Sequence, residues 1–350
     1  MSETSAVTHP RRRDARETPA GVPEPDLDRL VEVMGEVGSA VARVIEGKDD
    51  VVRIALTVLL AEGHLLVEDV PGVGKTTLAK AMARAVDGEV RRIQFTPDLL
   101  PSDVTGVSIW DAGRRVFEFT PGPVFANIVI GDEINRASPK TQSSLLECME
   151  EQQVTVDGTT YPLASPFMVV ATQNPVEMDG TFPLPEAQRD RFMARVSMGY
   201  PGHAAERAML DHHGASDPLA DLRPVTDAAG VHALALLTRT LHVADPLKDY
   251  VLDLVRASRE HPALRLGASP RAALHLLRAA RAGAAIAGRE HVIPDDVQAL
   301  ARPVLAHRLM LGPEAQLEGR TGADVVEELL TRVPVHRAGV RPATAPGWIR

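Results

Sequence analysis

The chain has 350 residues, 44% of them hydrophobic and 24% charged, with a formal net charge of −9. That length allows two domains with cores of their own, and the balance is that of an ordinary globular protein. The acidic charge argues against a dedicated nucleic-acid binder, and an aromatic content of 3% argues against a base-stacking platform.

Cys148 is the only cysteine, so no internal disulfide forms and a reducing, cytoplasmic setting is expected. The longest apolar stretch, "VVRIALTVLLAEGHLLVEDV" (51–70), is interrupted by Arg53, Glu62, Gly63 and His64, so no membrane insertion is expected. The first residues lack the apolar core of a signal peptide.

Residues 1–26 are polar and Pro-containing, which predicts a disordered tail. Within it "RRRDAR" (11–16) reads either as a nucleic-acid arm or as a solvated run diluted by Asp14, Glu17, Glu24 and Asp26. Leu27, Leu30, Met34, Val37, Val41 and Val44 recur at helical spacing, and "DDVVRIALTVLLAEG" (49–63) reads as a second amphipathic helix with a Gly stop. Then the texture changes. Short apolar runs at 64–67, 91–95, 127–133, 167–174 and 193–199 alternate with helical stretches such as "KTTLAKAMARAV" and "SLLECMEE". Continuous apolar strands separated by helices predict a parallel sheet covered on both faces. Residues 201–225 read as a linker containing a helix. From 226 to 333 only helical patterns follow, with Pro, Asp or Ser near their starts, and 334–350 reads as a disordered tail.

The stretch "EDVPGVGKTT" (68–77) follows the first strand and opens a helix. Glycines let backbone N–H groups converge on an anion, the helix start adds partial positive charge, Lys75 can reach phosphates, and the Thr76 hydroxyl can bind Mg²⁺. The strict phosphate-loop pattern is met only in part, because Asp69 stands where its first glycine belongs. "NIVIGDEINRA" (127–137) carries two carboxylates to the end of a buried strand. There Asp132 would complete a Mg²⁺ shell and Glu133 would deprotonate a water attacking a γ-phosphate; the bland alternative is a strand meeting solvent. "VVATQNP" (169–175) brings Asn174 to the same edge of the sheet, where ligands of open parallel sheets bind, although Asn–Pro is also a plain turn signal.

These stretches together resemble the MoxR family of AAA+ ATPases. The resemblance covers residues 28–331 and includes "RIQFTPDLLPSDVTG" (92–106), "FTPGPVFAN" (119–127) and "LPEAQRDRF" (184–192). It implies a P-loop NTPase α/β fold: a parallel sheet sandwiched by helices over 27–200, followed by a small all-α lid over 226–333. It also implies ATP hydrolysis with Mg²⁺ in a homo-oligomeric ring, expected to be a hexamer. The protein clients it implies are remodelled or matured, and a von Willebrand factor A domain protein is the partner that the resemblance suggests.

Residue by residue, Pro71, Gly72, Val73, Gly74, Lys75, Thr76 and Thr77 match the family's phosphate loop, and Asp132 and Glu133 its Walker B pair. Asn174 matches sensor 1, and Arg271, in "GASPRAALHL", matches sensor 2; read locally, the latter is also a plain helix start. Arg191 matches the arginine finger offered to a neighbouring subunit, with Arg189 as the second candidate. Taken without the family, the two arginines are a helix-end pair. Gly47 lies at the adenine-side element, but Lys48 replaces the family's usual Gln, which leaves the adenine contacts open.

Other features carry less. His212–His213 have no ligand-spaced partner and read as helix-end residues. Trp110, Phe117 and Phe119 in a hairpin-like insert could touch a client or pack the hairpin. Cys148 has no activating neighbour pattern. Two other classes compete with the ATP-driven chaperone: a DNA-acting or chelatase-like AAA+ motor, disfavoured by the acidic charge, and a nucleotide-gated scaffold without turnover, disfavoured by the intact Asp132–Glu133 pair.

Overall fold

The computed structural model describes residues 26–70, 72–174, 181–203, 206–207 and 217–335. Pro71, His212, His213 and nearly all of both expected tails lie outside the described residues. The chain opens with α1 (Leu27–Val44), whose first turn is capped by the Asp26 carboxylate, and α2 (Asp49–Leu60). Helix α2 stops at Leu60 and not at Gly63, because Glu62 already takes the left-handed conformation (φ 51°). Next come β1 (Leu65–Glu68), α3 (Lys75–Ala85), β2 (Val90–Gln94), α4 (Pro101–Thr105), the hairpin β3 (Gly106–Asp111) and β4 (Val116–Pro121), and β5 (Ile128–Asp132). They are followed by α5 (Pro139–Glu151), the hairpin β6 (Gln153–Val156) and β7 (Thr159–Pro162), β8 (Met168–Gln173), α6 (Glu186–Arg189) and β9 (Ala194–Val196).

Five strands form one parallel sheet in the order β2-β5-β8-β1-β9. Its three central strands are apolar runs because alternate residues feed two cores. Leu65, Val67, Ile128, Ile130, Met168 and Val170 join the cluster that includes α1, α2 and α3. Leu66, Val129, Val169 and Ala171 join Phe95, Leu145, Leu146 and Met149 on the other face. A strand with period-two side chains must be apolar at every position when both faces are covered.

The C-terminal part holds α7 (Pro218–Asp221), α8 (Ala228–Thr240), α9 (Asp245–Arg259), α10 (Pro270–Ile286), α11 (Pro294–Leu305), α12 (Pro313–Leu317) and α13 (Gly322–Arg332). It also contains a short antiparallel pair, β10 (Leu264–Leu266) with β11 (Met310–Leu311), which strands this short do not announce in sequence. Arg278 of α10 donates to the carbonyls of Ala61 and Glu62, which docks the lid against the entry to β1. Among the described residues no helix is long and apolar enough to cross a membrane.

The two hairpins settle the aromatic insert. Phe119 stacks on Tyr161 of the second hairpin (centroids 4.1 Å apart, 18° between planes) and meets Phe125 edge-on. Phe119 is therefore packing, whereas Trp110 and Phe117 pair with each other and are 50% and 71% exposed.

Candidate active site

The carboxyl ends of β1, β5 and β8 converge, and the loop after β1 sits among them. Gly72 and Gly74 take φ of 85° and 92°, where a side chain would be strained, and Gly74 is the N-cap of α3. The start of α3 therefore points its first-turn N–H groups at the loop, an arrangement that attracts anions. Lys75 Nζ donates to the Asp69 carbonyl at 2.6 Å. The Thr76 hydroxyl lies 3.2 Å from each carboxylate oxygen of Asp132. Val73 is buried beneath the loop, and Thr77 is half-buried in the first turn of α3.

Asp132 is buried and also receives Arg92 Nε at 2.6 Å and the Thr172 hydroxyl at 3.2 Å. Glu133 turns away from it because its backbone is left-handed (φ 57°, ψ 49°), held by its N–H donating to the Thr172 hydroxyl at 3.0 Å. The Glu133 carboxylate then accepts from Gln94 Nε2 and Arg136 Nη1, each at 3.0 Å. One hydroxyl thus orients two acids in different directions. Asn174 is buried one residue past β8, at the same edge. The site holds hard oxygen donors side by side in Thr76 and Asp132. That set fits Mg²⁺, which takes one or two protein oxygens and completes its shell with water and phosphate. The close approach of Arg92 shows that the Asp132 carboxylate accommodates a cation.

Asp69 has a use the sequence pattern did not announce. Its Oδ2 accepts from the Ser197 hydroxyl at 2.8 Å and from the Gly199 N–H at 2.5 Å, and its Oδ1 accepts from the Val70 N–H. Burial pushes this carboxyl up, but the hydrogen bonds from Gly199, Ser197, Val70 and Met198 together outweigh it and hold it below its ordinary value. Asp69 thereby pins the phosphate loop to the chain leaving β9. On that side Gly47 turns with φ 71°, and Lys48 Nζ donates to the Tyr200 carbonyl at 2.9 Å. Ile45 and Met198 approach Gly74, so Gly47 and the phosphate loop share one neighbourhood.

The two remaining candidates lie elsewhere. Glu150 lies in the last turn of α5, and the preceding carbonyl of Met149 accepts from His64 at the amino end of β1. Arg191 Nη2 meets Glu150 Oε2 at 3.0 Å, and Arg271 pairs with the other oxygen, Oε1. Arg191 and Arg271 therefore stand together at the amino edge of the sheet, whereas Lys75, Asp132, Glu133 and Asn174 stand at the carboxyl edge. A four-residue strand separates the two edges by about 13 Å. Arg189 leaves a buried Nε with no hydrogen-bond partner among the described residues.

Sequence reading missed Arg92, Gln94, Thr172 and Glu150. Arg92 and Gln94 flank Ile93 and so share one face of β2, but only the pairing of Gln94 with Asp132 across the sheet shows which acids they meet. Cys148 is buried and its thiol is pushed up to about 12, by burial first and by Glu147 second, so it is no nucleophile.

Residues 64–194 match the profile of the ATPase family associated with various cellular activities (AAA), and residues 256–329 match an AAA lid domain. The uncharacterized protein YeaC of Bacillus subtilis is 49% identical over 88% of this chain and 97% of its own length. Chaperone MoxR1 of Mycobacterium tuberculosis is 40% identical over 94% of this chain and 89% of its own. Protein MoxR of Paracoccus denitrificans is 34% identical over 86% and 95% respectively. A solved structure from Cytophaga hutchinsonii, provisionally described as an ATPase, superposes with a TM-score of 0.83 at 37% identity, covering 89% of this chain and 97% of that one.

Proposed function

The chain belongs to the MoxR family of AAA+ ATPases, and on that premise we propose that it hydrolyses ATP to ADP and phosphate in a homo-oligomeric ring and uses turnover to remodel or mature client proteins. The observation that carries the catalytic part is the convergence of Lys75, Thr76, Asp132, Glu133 and Asn174 at one sheet edge, with both acids oriented by Thr172. The backbone N–H groups of the loop and Lys75 bind the β- and γ-phosphates. Thr76 and Asp132 would hold Mg²⁺, which when bound neutralises phosphate charge. Glu133, aimed by Gln94 and Arg136, accepts the proton of the water whose oxygen bonds to the γ-phosphorus as the bond to the ADP oxygen breaks. Asn174 orients that water.

Arg191 and Arg271 serve the neighbouring subunit's ATP. Their position at the opposite edge from Lys75 supports this, because a head-to-tail ring brings one subunit's amino edge against the next subunit's carboxyl edge. The ring is read as a hexamer, with 27–200 as nucleotide domain and 226–333 as lid, in the cytoplasm. The client role draws on the name of the chaperone relative, and the von Willebrand factor A partner on family resemblance alone.

The test is phosphate release from two inactive variants and their mixture. Glu133→Gln binds ATP without turnover, and Arg191→Ala does the same. In mixed rings an Arg191→Ala subunit keeps its own Glu133 and receives Arg191 from a Glu133→Gln neighbour, so activity returns in part. Wild-type turnover by Glu133→Gln removes the assigned base. No recovery in rings shown to be mixed removes the shared site.

A further inference from the structure

One buried charge is used by none of this chemistry. The Arg308 side chain, in the lid just after α11, is only 2% exposed. Burying a guanidinium is costly unless its donors are satisfied, and here each of its three nitrogens donates to one segment. Nε donates to Asp190 Oδ1 at 2.8 Å; Nη2 donates to the carbonyls of Asp190 and Phe192 at 3.0 and 2.6 Å; Nη1 donates to the Met193 carbonyl at 3.1 Å. Nη1 also meets the Val304 carbonyl, and His275 Nδ1 stands 2.7 Å from Nη2. Two further lid residues reach the same segment. His307 Nε2 lies 3.2 Å from the Phe192 carbonyl, and the Ser269 hydroxyl donates to the Asp190 carboxylate at 2.9 Å. The segment held in this way, 190–193, carries Arg191 between two of the gripped carbonyls. Ser269 is in turn the N-cap of α10, one residue from Pro270 and two from Arg271.

We propose that Arg308 is the positioning residue of the arginine finger: its guanidinium fork fuses segment 190–193 to the lid, so that the lid's position sets the reach of Arg191 into the neighbouring site. The proposal rests on the reading that Arg191 acts on the neighbour's ATP. The fork suits the task because its planar donors fix direction as well as distance, which a lysine ammonium does not. Loss of that fixation matters because a catalytic group displaced by about 1 Å costs about 10²-fold in rate. It also gives the ring a route for communication. A lid that shifts in one subunit carries its Arg191 and Arg271 with it, and both belong to the next subunit's chemistry.

Arg308→Met tests this by its complementation class. The expected single-variant result is turnover reduced about 10²-fold with ATP affinity within about twofold of the parent, as for loss of a group that acts only in the transition state. Mixed with Glu133→Gln, Arg308→Met subunits recover activity, because they keep their own base and receive a finger held by an intact Arg308. Mixed with Arg191→Ala, they do not, because neither subunit offers a placed finger. Rescue by Arg191→Ala and not by Glu133→Gln puts Arg308 at its own subunit's site and overturns the proposal. So does undiminished turnover, and so does rescue by neither while the Arg191→Ala and Glu133→Gln control pair recovers. Failure of that control pair instead refutes the shared site itself. If Arg308→Met loses cooperative unfolding, Arg308→Lys, which keeps the buried charge without the fork, carries the same mixing test. Failure of both to fold makes Arg308 a folding requirement and counts against the proposal.

Discussion

Restoring the usual phosphate-loop glycine, by Asp69→Gly, is expected to damage this protein. The Asp69 carboxylate accepts from Ser197 and Gly199 in the chain after β9 and from Val70 within the loop. Hydrogen bonds to a charged group contribute about 1.5–3 kcal/mol each, but the freed Gly199 and Ser197 groups regain water once the side chain is gone. A net loss of about 3 kcal/mol of folding stability follows, with about 0.5–1 kcal/mol more from the added backbone freedom of glycine. An unpinned loop must also be ordered when nucleotide binds. Ordering one residue costs about 1–2 kcal/mol, which weakens ATP binding about tenfold. Asp69→Asn should fall between, since its single amide oxygen cannot replace both carboxylate oxygens. Denaturant unfolding and fluorescent-nucleotide titration measure the two quantities separately. Asp69→Gly that unfolds at the parent's midpoint and binds ATP as tightly would refute the pinning role. The pH sign agrees: the carboxyl is held below 3.8, so its contribution is present above that value and is lost as pH falls through the lower folded value.

Lys75→Ala should abolish most ATP affinity in the same titration, because Lys75 is the cation of the loop. Asp132→Asn should raise the Mg²⁺ concentration needed for half-maximal turnover more than it raises the ATP requirement, as seen by titrating each in phosphate-release assays. Thr172→Val leaves the half-buried Glu133 N–H without its acceptor and should cost about 1–3 kcal/mol by denaturant unfolding, with turnover reduced more than affinity. The chain should also lose stability on mild acidification. His64 is lowered to about 4, by burial first, and its Nδ1 accepts from the Val169 N–H, so it must stay neutral. His275 is lowered to about 2 and His307 lies well below 6.5, each by burial first and Arg308 second. The unfolded chain takes up these protons near pH 6.5 and the folded chain does not, so stability is full above that pH and falls below it. The His64 share is on the order of 2 kcal/mol at pH 5. Thermal unfolding at pH 7.5 and pH 5 checks the sign, and an unchanged midpoint in His64→Phe relative to the parent across that range would remove His64 from the account.

The sheet and its chemistry were legible because they are local. Apolar runs such as "NIVI" and "FMVV" state that both faces of a strand are covered, and "GVGKTT" needs no distant partner to declare a turn into a helix start. Asp132 and Glu133 announced themselves as charges at the end of a buried run. The different directions in which their carboxylates point did not appear, because they depend on Thr172 from β8 and on Arg92 and Gln94 from β2, whose registers arise only when the strands pair. Asp69 read as a departure from a pattern until the chain after β9 came back to meet it, 128 residues later. Arg191 read as a finger for a neighbouring subunit, and Arg271 as a nucleotide-binding residue of the lid, with nothing in the sequence to put the two side by side on Glu150. The fold places them at the opposite edge of the sheet from Lys75, because parallel strands send every loop after a strand to one edge and every segment before a strand to the other. Arg308 carried no signal at all: in sequence it is one basic residue among many, and only the docking of the lid buries it among the carbonyls of 190–193.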